Sequence, residues 1–549
     1  MARSPWACAA SLLAALLVVT VTSADAGDTP LIKAVNSGDV HAVQALIASG
    51  ADVNVRAGDG STPLLWAAHN SNTAIARALI TAKAKIDVAN DYGVTPLLEA
   101  SRTGDAAMIE LLLNAGANAS LAHPEGETPL MAAARAGSVP GVRLLIARGA
   151  DVNAAEHDEH TTALMWAAAE GHLAVVDALL DAGADPNRKA HVTELTERKN
   201  ADHPTGGFTA LMWAARNGNE PLVRRLIARG ANVNLKNGDE ASAAMIAIYN
   251  DYFDVAAALI EQLGSDANDG SLYVAIEMRD ATTDQFAFDG SRRRPIHQNT
   301  HTALDLAKML LERGADPNKT FTGQFHSTSM PNTDRFDNTP FFRAAIAADV
   351  EALTLLLAHG AKVDLTPYVD PDTAPQEKFV GIQPTQGRRT ANPNAGKTAA
   401  MVAMTGGRGP AMTGGPAYIR EGAAPYREAG SRKPEDALAL LLAAGADPNA
   451  KGPDGVTLLH QAARSGSLPM IRALAKAHVD FTRTNADGLT ALDVVEGRQS
   501  ASGSAKPASP GGPRRAPGAA SPQDVAALLR ELMGLPPAPP LATRTEGAQ

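Results

Sequence analysis

Apolar and polar positions follow one another in a phrase that the chain keeps repeating. Its cleanest copy runs Thr209-Ala-Leu-Met-Trp-Ala-Ala-Arg-Asn-Gly218, and eight residues on comes Leu226-Ile-Ala-Arg-Gly-Ala-Asn-Val-Asn234. Near-copies open at Thr29, Thr62, Thr95 and Thr128, 33 residues apart, and at Thr162 after 34. Others open at Ser242, Thr339, Thr398, Thr457 and Thr490. A fixed period of this size predicts stacked units, each too small to bury its own apolar face, rather than one globular core.

Each part of the phrase has a physical role. Thr62-Pro63 sets a capping hydroxyl before a helix and a proline at its first position, where no amide hydrogen is needed. Leu64, Ala67 and Ala68 then share one face, and the small alanines admit the next unit's helix closely. Gly104, Gly137, Gly171 and Gly218 end this first helix, because glycine alone turns left-handed cheaply. A second helix follows as an apolar stripe, as in Leu111-Leu112-Leu113 or Leu144-Leu145-Ile146. Twenty-one residues after the threonine another glycine stops it, at Gly50, Gly116, Gly149, Gly183, Gly230 and Gly360. Lys83 and His478 stand there instead in two units, which predicts strained or reshaped helix ends.

Thr95-Pro96-Leu97, Gly104 and the closing Gly116-Ala117-Asn118 resemble the ankyrin repeat family, whose unit is a β-turn and two helices with a T-P-L-H-x-A core. The resemblance extends from Asp28 to about Met533. It implies an all-α, ankyrin-like solenoid of about twelve repeats, with long loop insertions in the C-terminal half. One feature departs from the family: only Thr457-Leu-Leu-His460 keeps the histidine, where units such as those at Thr62, Thr128 and Thr29 carry Leu, Met or Ile. Packing is expected to hold those turns.

The resemblance also implies where a partner binds. Trp66, Trp166 and Trp213 each sit four residues after a threonine, a position that in the family looks toward the concave groove. They read either as an aromatic platform or as packing against the adjacent hairpin. Hairpin tips and first-helix ends usually make the contacts, which here are Asp91, Tyr92, Arg102, Arg135, Glu170, Phe208, Arg216 and Asn217. Taken singly each is ordinary solvated surface; grouped on one face they form a partner surface.

At 549 residues the chain exceeds a single globule, a limit that a solenoid escapes. Its net charge of −10, with Lys and Arg scattered, does not suggest a nucleic-acid partner. Arg3, an apolar run from Ala7 to Val21 and Ser23-Ala24-Asp25-Ala26 read as a secretory signal over residues 1–26, cleaved near Ala24 or Ala26. The run is short for a membrane span of roughly 20 residues. Cys8, the sole cysteine, lies within it and does not follow it as a lipid-attachment residue would. The expected product is a thiol-free periplasmic or secreted monomer, with no stable membrane insertion.

Along the chain, repeats one to five fill residues 27–187, ahead of an insertion at 188–207 that lengthens a hairpin finger. Repeats six and seven span 208–268, and repeats eight and nine, with insertions, span 269–364. An insertion loop at 365–396 and repeat ten at 397–449, split by a Gly/Pro-rich stretch, come next. Repeats eleven and twelve cover 450–497; a linker over 498–521, a capping helix over 522–534 and a Pro-rich tail over 535–549 complete the chain.

Motifs that would carry chemistry are weak. His157-Asp-Glu-His160 holds four ligand types in one turn, but metal sites draw ligands from separated segments. Gly396-Lys-Thr398 resembles a phosphate-loop end but has Ala391 where glycine is required, and Thr398 is in phase with the repeat. The glycines from Gly406 to Gly415 lack the strand-and-helix frame of a dinucleotide site. Arg292-Arg293-Arg294 reads as a solvated loop, and Asn118-Ala-Ser120 and Asn318-Lys-Thr320 fit the glycosylation pattern. The expected function is therefore non-enzymatic recognition of a protein partner, without cofactor or metal. The alternatives are an accessory subunit or inhibitor of an exported enzyme, a host-directed effector, and a hydrolase or metal site built from the insertions.

Overall fold

A threonine or serine hydroxyl begins nearly every unit by accepting from the amide three residues on. The Leu65 amide meets Thr62 Oγ1 at 3.2 Å, Met165 meets Thr162 at 3.3 Å and Met245 meets Ser242 at 3.2 Å. The computed structural model describes residues 29–192, 206–238, 240–262, 264–279, 298–321, 339–365, 396–404, 432–452, 455–498 and 519–537. Residues 1–28 with the expected signal and Cys8, Arg292-Arg293-Arg294, Ala391, the Gly406–Gly415 stretch and most of the 365–396 loop and 498–521 linker lie outside them.

Contacts divide the chain into two units, Met1–Ser265 and Asp266–Gln549. In the first, helices come in pairs: α1 (Pro30–Asn36) with α2 (Val40–Ala48), α3 (Pro63–His69) with α4 (Thr73–Thr81), and α5 (Pro96–Arg102) with α6 (Ala106–Asn114). Then follow α7 (Pro129–Arg135) with α8 (Val139–Ala147), α9 (Ala163–Ala169) with α10 (Leu173–Asp181), α11 (Ala210–Arg216) with α12 (Glu220–Ala228), and α13 (Ala243–Tyr249) with α14 (Phe253–Ile260). The second unit holds α15 (Ser271–Met278), α16 (Ala303–Glu312), α17 (Pro340–Ile346), α18 (Val350–Ala358), α19 (Ala399–Ala403) and α20 (Pro434–Ala443). It continues with α21 (Leu458–Ser465), α22 (Leu468–Lys476), α23 (Ala491–Glu496) and α24 (Pro522–Leu532). Among the described residues extended backbone is confined to isolated bridges such as Ala155 with Thr162, so the fold is an all-α solenoid. Also among them, no helix is long and apolar enough to cross a membrane.

The core lies between successive repeats. In the first helices Leu64, Leu97, Leu130, Leu164 and Leu211 are all buried, and the alanines at the next two inward positions, such as Ala67 and Ala68, are fully so. Two helices separated only by methyl groups approach closely, which is why alanine recurs there. A second tie runs along the loops that close the units. Asn153 Oδ1 accepts from the Asp185 amide at 2.8 Å while its Nδ2 donates to Gly183 O at 3.1 Å. Asn187 and Asn318 repeat this toward the next unit, bonding Gly230 O and Gly360 O at 3.0 Å each. Asn318, a residue of one glycosylation pattern, has its amide committed to the fold.

His460 shows what the missing histidines would do. Its Nδ1 meets Thr457 Oγ1 at 2.8 Å and its Nε2 meets Leu489 O in the next unit at 2.8 Å. Elsewhere the side chain three residues after the threonine is buried, as with Leu98 and Met212, so packing holds the turn. Thr302, Thr490 and Ser521 use a third solution: Asp305, Asp493 and Asp524 close reciprocal capping boxes. These carboxyls sit below their ordinary pKa; for Asp493 and Asp524 the bond from the capping hydroxyl is the main cause.

Lys83 and His478 keep the left-handed turn, at φ 66° and 60°, instead of reshaping it. The left-handed conformation costs an L-residue roughly 1–2 kcal/mol. Lys83 is exposed, so glycine there would relieve the strain without opening the core. Lys83→Gly is expected to raise the unfolding free energy by up to about 1 kcal/mol, read by urea unfolding. A loss of stability would show the turn to be unstrained.

Candidate partner-binding face

The first helices of the first unit present two side-chain rows, four and seven residues after each threonine, next to the hairpins. On this face charges and aromatics pair from one repeat to the next. His69 Nδ1 meets Glu99 Oε1 at 2.7 Å, across from α3 to α5. Arg102 at the end of α5 donates from Nε to Glu127 Oε2 at 3.1 Å, with a second bond from Nη2. The Arg135 guanidinium at the end of α7 lies 5.1 Å from the Trp166 ring centre, on α9. Trp166 donates Nε1–H to Glu156 at 3.0 Å, and Arg216 lies 5.5 Å over Trp213 on α11. The hairpins are tied too: the amides of Asp91, His157 and His191 donate to Asp59, Glu125 and Glu159 carbonyls at 3.0, 3.0 and 2.7 Å.

These contacts place the residues that the sequence singles out. Trp66, Trp166 and Trp213 are all half-buried, part of each indole packed and part exposed. Trp66 stands edge-on to His69 at 5.7 Å. Asp91 pairs with Arg56 at 3.0 Å, and beside it Tyr92 is 69% exposed. Glu170 is exposed at the end of α9. Two expectations change in kind. Phe208 is only 7% exposed; its ring lies 4.9 Å from Trp213, so it supports that indole instead of forming a hairpin tip. Asn217 is exposed, but its Nδ2 donates to Ala169 O at 2.6 Å and staples repeat six to repeat five. His69, Glu99, Glu127 and Glu156 were not singled out. The available signal was phase, since Glu99 occupies the tryptophan position of its unit.

The electrostatics follow from half-burial. The bond from Glu99 raises the His69 pKa above 6.5, burial opposes it and the Glu99 charge adds to it. Burial raises the Glu156 carboxyl above 4.5, with the Trp166 bond pulling it back. Burial lowers Arg216 from its ordinary value. Because the folded His69 pKa is raised, its stabilisation is fully present below 6.5 and lost as pH rises through the folded value. The His69 side chain is 53% exposed, so screening limits the effect to about a few tenths of a kcal/mol. An NMR titration of His69 should show the raised pKa, and Glu99→Gln should return it toward 6.5.

Beside Glu156 an open cavity of about 500 Å³ is lined by Asp151, Asn153, His157, His160 and Arg188. His157 Nδ1 meets Pro124 O at 3.1 Å, and His160 packs edge-on against His191 at 5.1 Å. Among the described residues no group of three potential ligands is placed to hold a metal ion.

A stack of two-helix units, each opened by a hydroxyl cap and packed on its neighbours through alanines, defines an all-α repeat protein. The family model for ankyrin repeats in three copies matches residues 31–122, 97–190 and 191–271, and the model for ankyrin repeats in many copies matches 441–495. The chain belongs to the ankyrin repeat proteins. Among solved structures it is similar to the ankyrin repeat domain of Bcl-3, at 28% identity over 42% of this chain and 99% of that one, with a TM-score of 0.36. It is also similar to the human ASB11 ankyrin repeat domain, at 26% identity over 44% of this chain and 100% of that one, with a TM-score of 0.36. No curated protein matches. Ankyrin repeats generally mediate protein–protein interaction and are typically non-enzymatic.

Proposed function

We propose that this protein is an exported scaffold that binds a protein partner on the first-helix and hairpin face of its first unit, and that it carries out no chemistry itself. The observation that carries the reading is the set Arg135, Trp166 and Glu156. One half-buried indole is clamped by a guanidinium from the previous repeat and a carboxylate from its own hairpin. A side chain held in this way loses little freedom when a partner covers it, so contact area converts to affinity with a small entropic penalty. Export rests on the Arg3 to Ala26 leader pattern.

The test is capture from the native cell envelope with wild type and with Trp166→Ala/Trp213→Ala. The wild type is expected to retain a protein that the variant loses by roughly 100-fold or more in affinity, two hot-spot truncations together. Equal retention by both proteins, with far-ultraviolet circular dichroism unchanged, would remove this face from consideration.

A further inference from the structure

In a solenoid each repeat contacts only its neighbours, so stability is close to a sum of nearest-neighbour terms. The second unit contains a contact that skips a repeat. Arg279, directly after α15, donates from Nε to Asp349 Oδ2 at 2.6 Å and from Nη2 to Asp349 Oδ1 at 3.1 Å. Its Nη2 also meets Glu351 Oε2 at 3.0 Å. Arg432, just before α20, places Nη1 2.7 Å from the same Asp349 carboxylate. It also donates from Nη2 to the backbone carbonyl of Arg279 at 3.4 Å, across 153 residues of sequence. The Arg279 and Asp349 side chains are each 1% exposed and Arg432 is 10% exposed. Helices α17 and α18 belong to the repeat in between.

We propose that Asp349, bridging Arg279 and Arg432, is a clasp that makes α15, α18 and α20 open and close as one cooperative element instead of repeat by repeat. The physical case has three parts. Charge-assisted bonds to a buried carboxylate are roughly twice as strong as neutral ones, and two guanidiniums share this one. Removing the carboxylate takes from two buried guanidiniums the counter-charge they share, so the members are energetically coupled more than packed alanines are. Residues 280–302 separate α15 from α16 and residues 405–433 separate α19 from α20, so helices distant in sequence are held in register by contacts across repeats. A shared buried ion supplies that constraint.

Asp349 also caps α18, accepting from the Ala352 amide at 3.1 Å. Asn is as good a cap as Asp, so Asp349→Asn removes the charge and keeps the cap. Amide hydrogen exchange of the full chain, read by mass spectrometry, then separates the possibilities. In Asp349→Asn, exchange is expected to accelerate on the order of 100-fold in both α15 and α20. Glu277→Gln is the comparator, because it breaks the separate Glu277–Arg343 pair beside α15; with the clasp intact it should speed exchange in α15 and α20 together, and in the Asp349→Asn background it should speed α15 alone. Unchanged protection of α20 in Asp349→Asn would overturn the clasp, as would a Glu277→Gln variant that speeds α15 while α20 stays protected. If Asp349→Asn does not fold, Arg432→Met at the edge of the cluster must reproduce the joint acceleration. Acceleration confined to α20 would refute the proposal.

Discussion

Leu98→Ala is expected to lower the unfolding free energy by about 2–5 kcal/mol. Leu98 is fully buried in α5 and packs in one cluster with Leu65 of the preceding repeat, Val94 of its own hairpin and Ala132 of the following repeat. Truncating its isobutyl side chain to a methyl removes apolar area from three repeats at once. The loss is hard to relax: Ala132 is too small to fill the space, and Leu65 is fixed by the threonine cap whose bond its own amide makes. Tyr92→Ala is the internal control, since Tyr92 is 69% exposed on the same hairpin row and should change stability by no more than about 0.5 kcal/mol. Urea unfolding followed by circular dichroism measures both. If Leu98→Ala behaves like Tyr92→Ala, neighbouring repeats do not share a core and the stacking account fails.

The fold was legible because its determinants are local and recur. A threonine, an alanine pair and a glycine at fixed spacing each act within one turn of chain, so their effect can be read from residues such as Thr62, Ala67 and Gly104 alone. The candidate binding face was legible only in part. Trp166 and Arg135 announce themselves by type and phase. That Arg135 would stack on Trp166 depends on the offset between successive repeats, which the sequence does not display. Phe208 illustrates the error this allows: its place in a hairpin suggests a tip, yet an aromatic next to Trp213 buries more area by turning inward. The acidic partners Glu99, Glu127 and Glu156 went unread for a similar reason. Each is an unremarkable surface residue until a neighbour's side chain arrives.

Least legible of all was the buried pair in the second unit, and it carries the other large effect. Arg343→Met is expected to cost about 3–5 kcal/mol, whereas the double variant Glu277→Met/Arg343→Met should lie close to wild type. Arg343 occupies on α17 the position that holds Trp66, Trp166 and Trp213 in the first unit. Its Nη2 meets Glu277 Oε1 at 3.0 Å, its Nε bonds the other carboxylate oxygen, and both side chains are 7% exposed. At that depth the pair's attraction is offset by the loss of hydration, so the pair itself adds little net stability. Removing the arginine alone leaves a carboxylate without water or counter-charge, which is far worse than never having had either. The exposed Arg224–Glu220 pair on α12 provides the contrast, since breaking it should cost only about 0.3–0.5 kcal/mol. A double-mutant cycle on unfolding free energies checks the claim: additive single losses at Glu277 and Arg343 would sink it. A strong coupling would mean that this helix row is half-open at Trp66, Trp166 and Trp213 and is sealed by paired charge at Arg343.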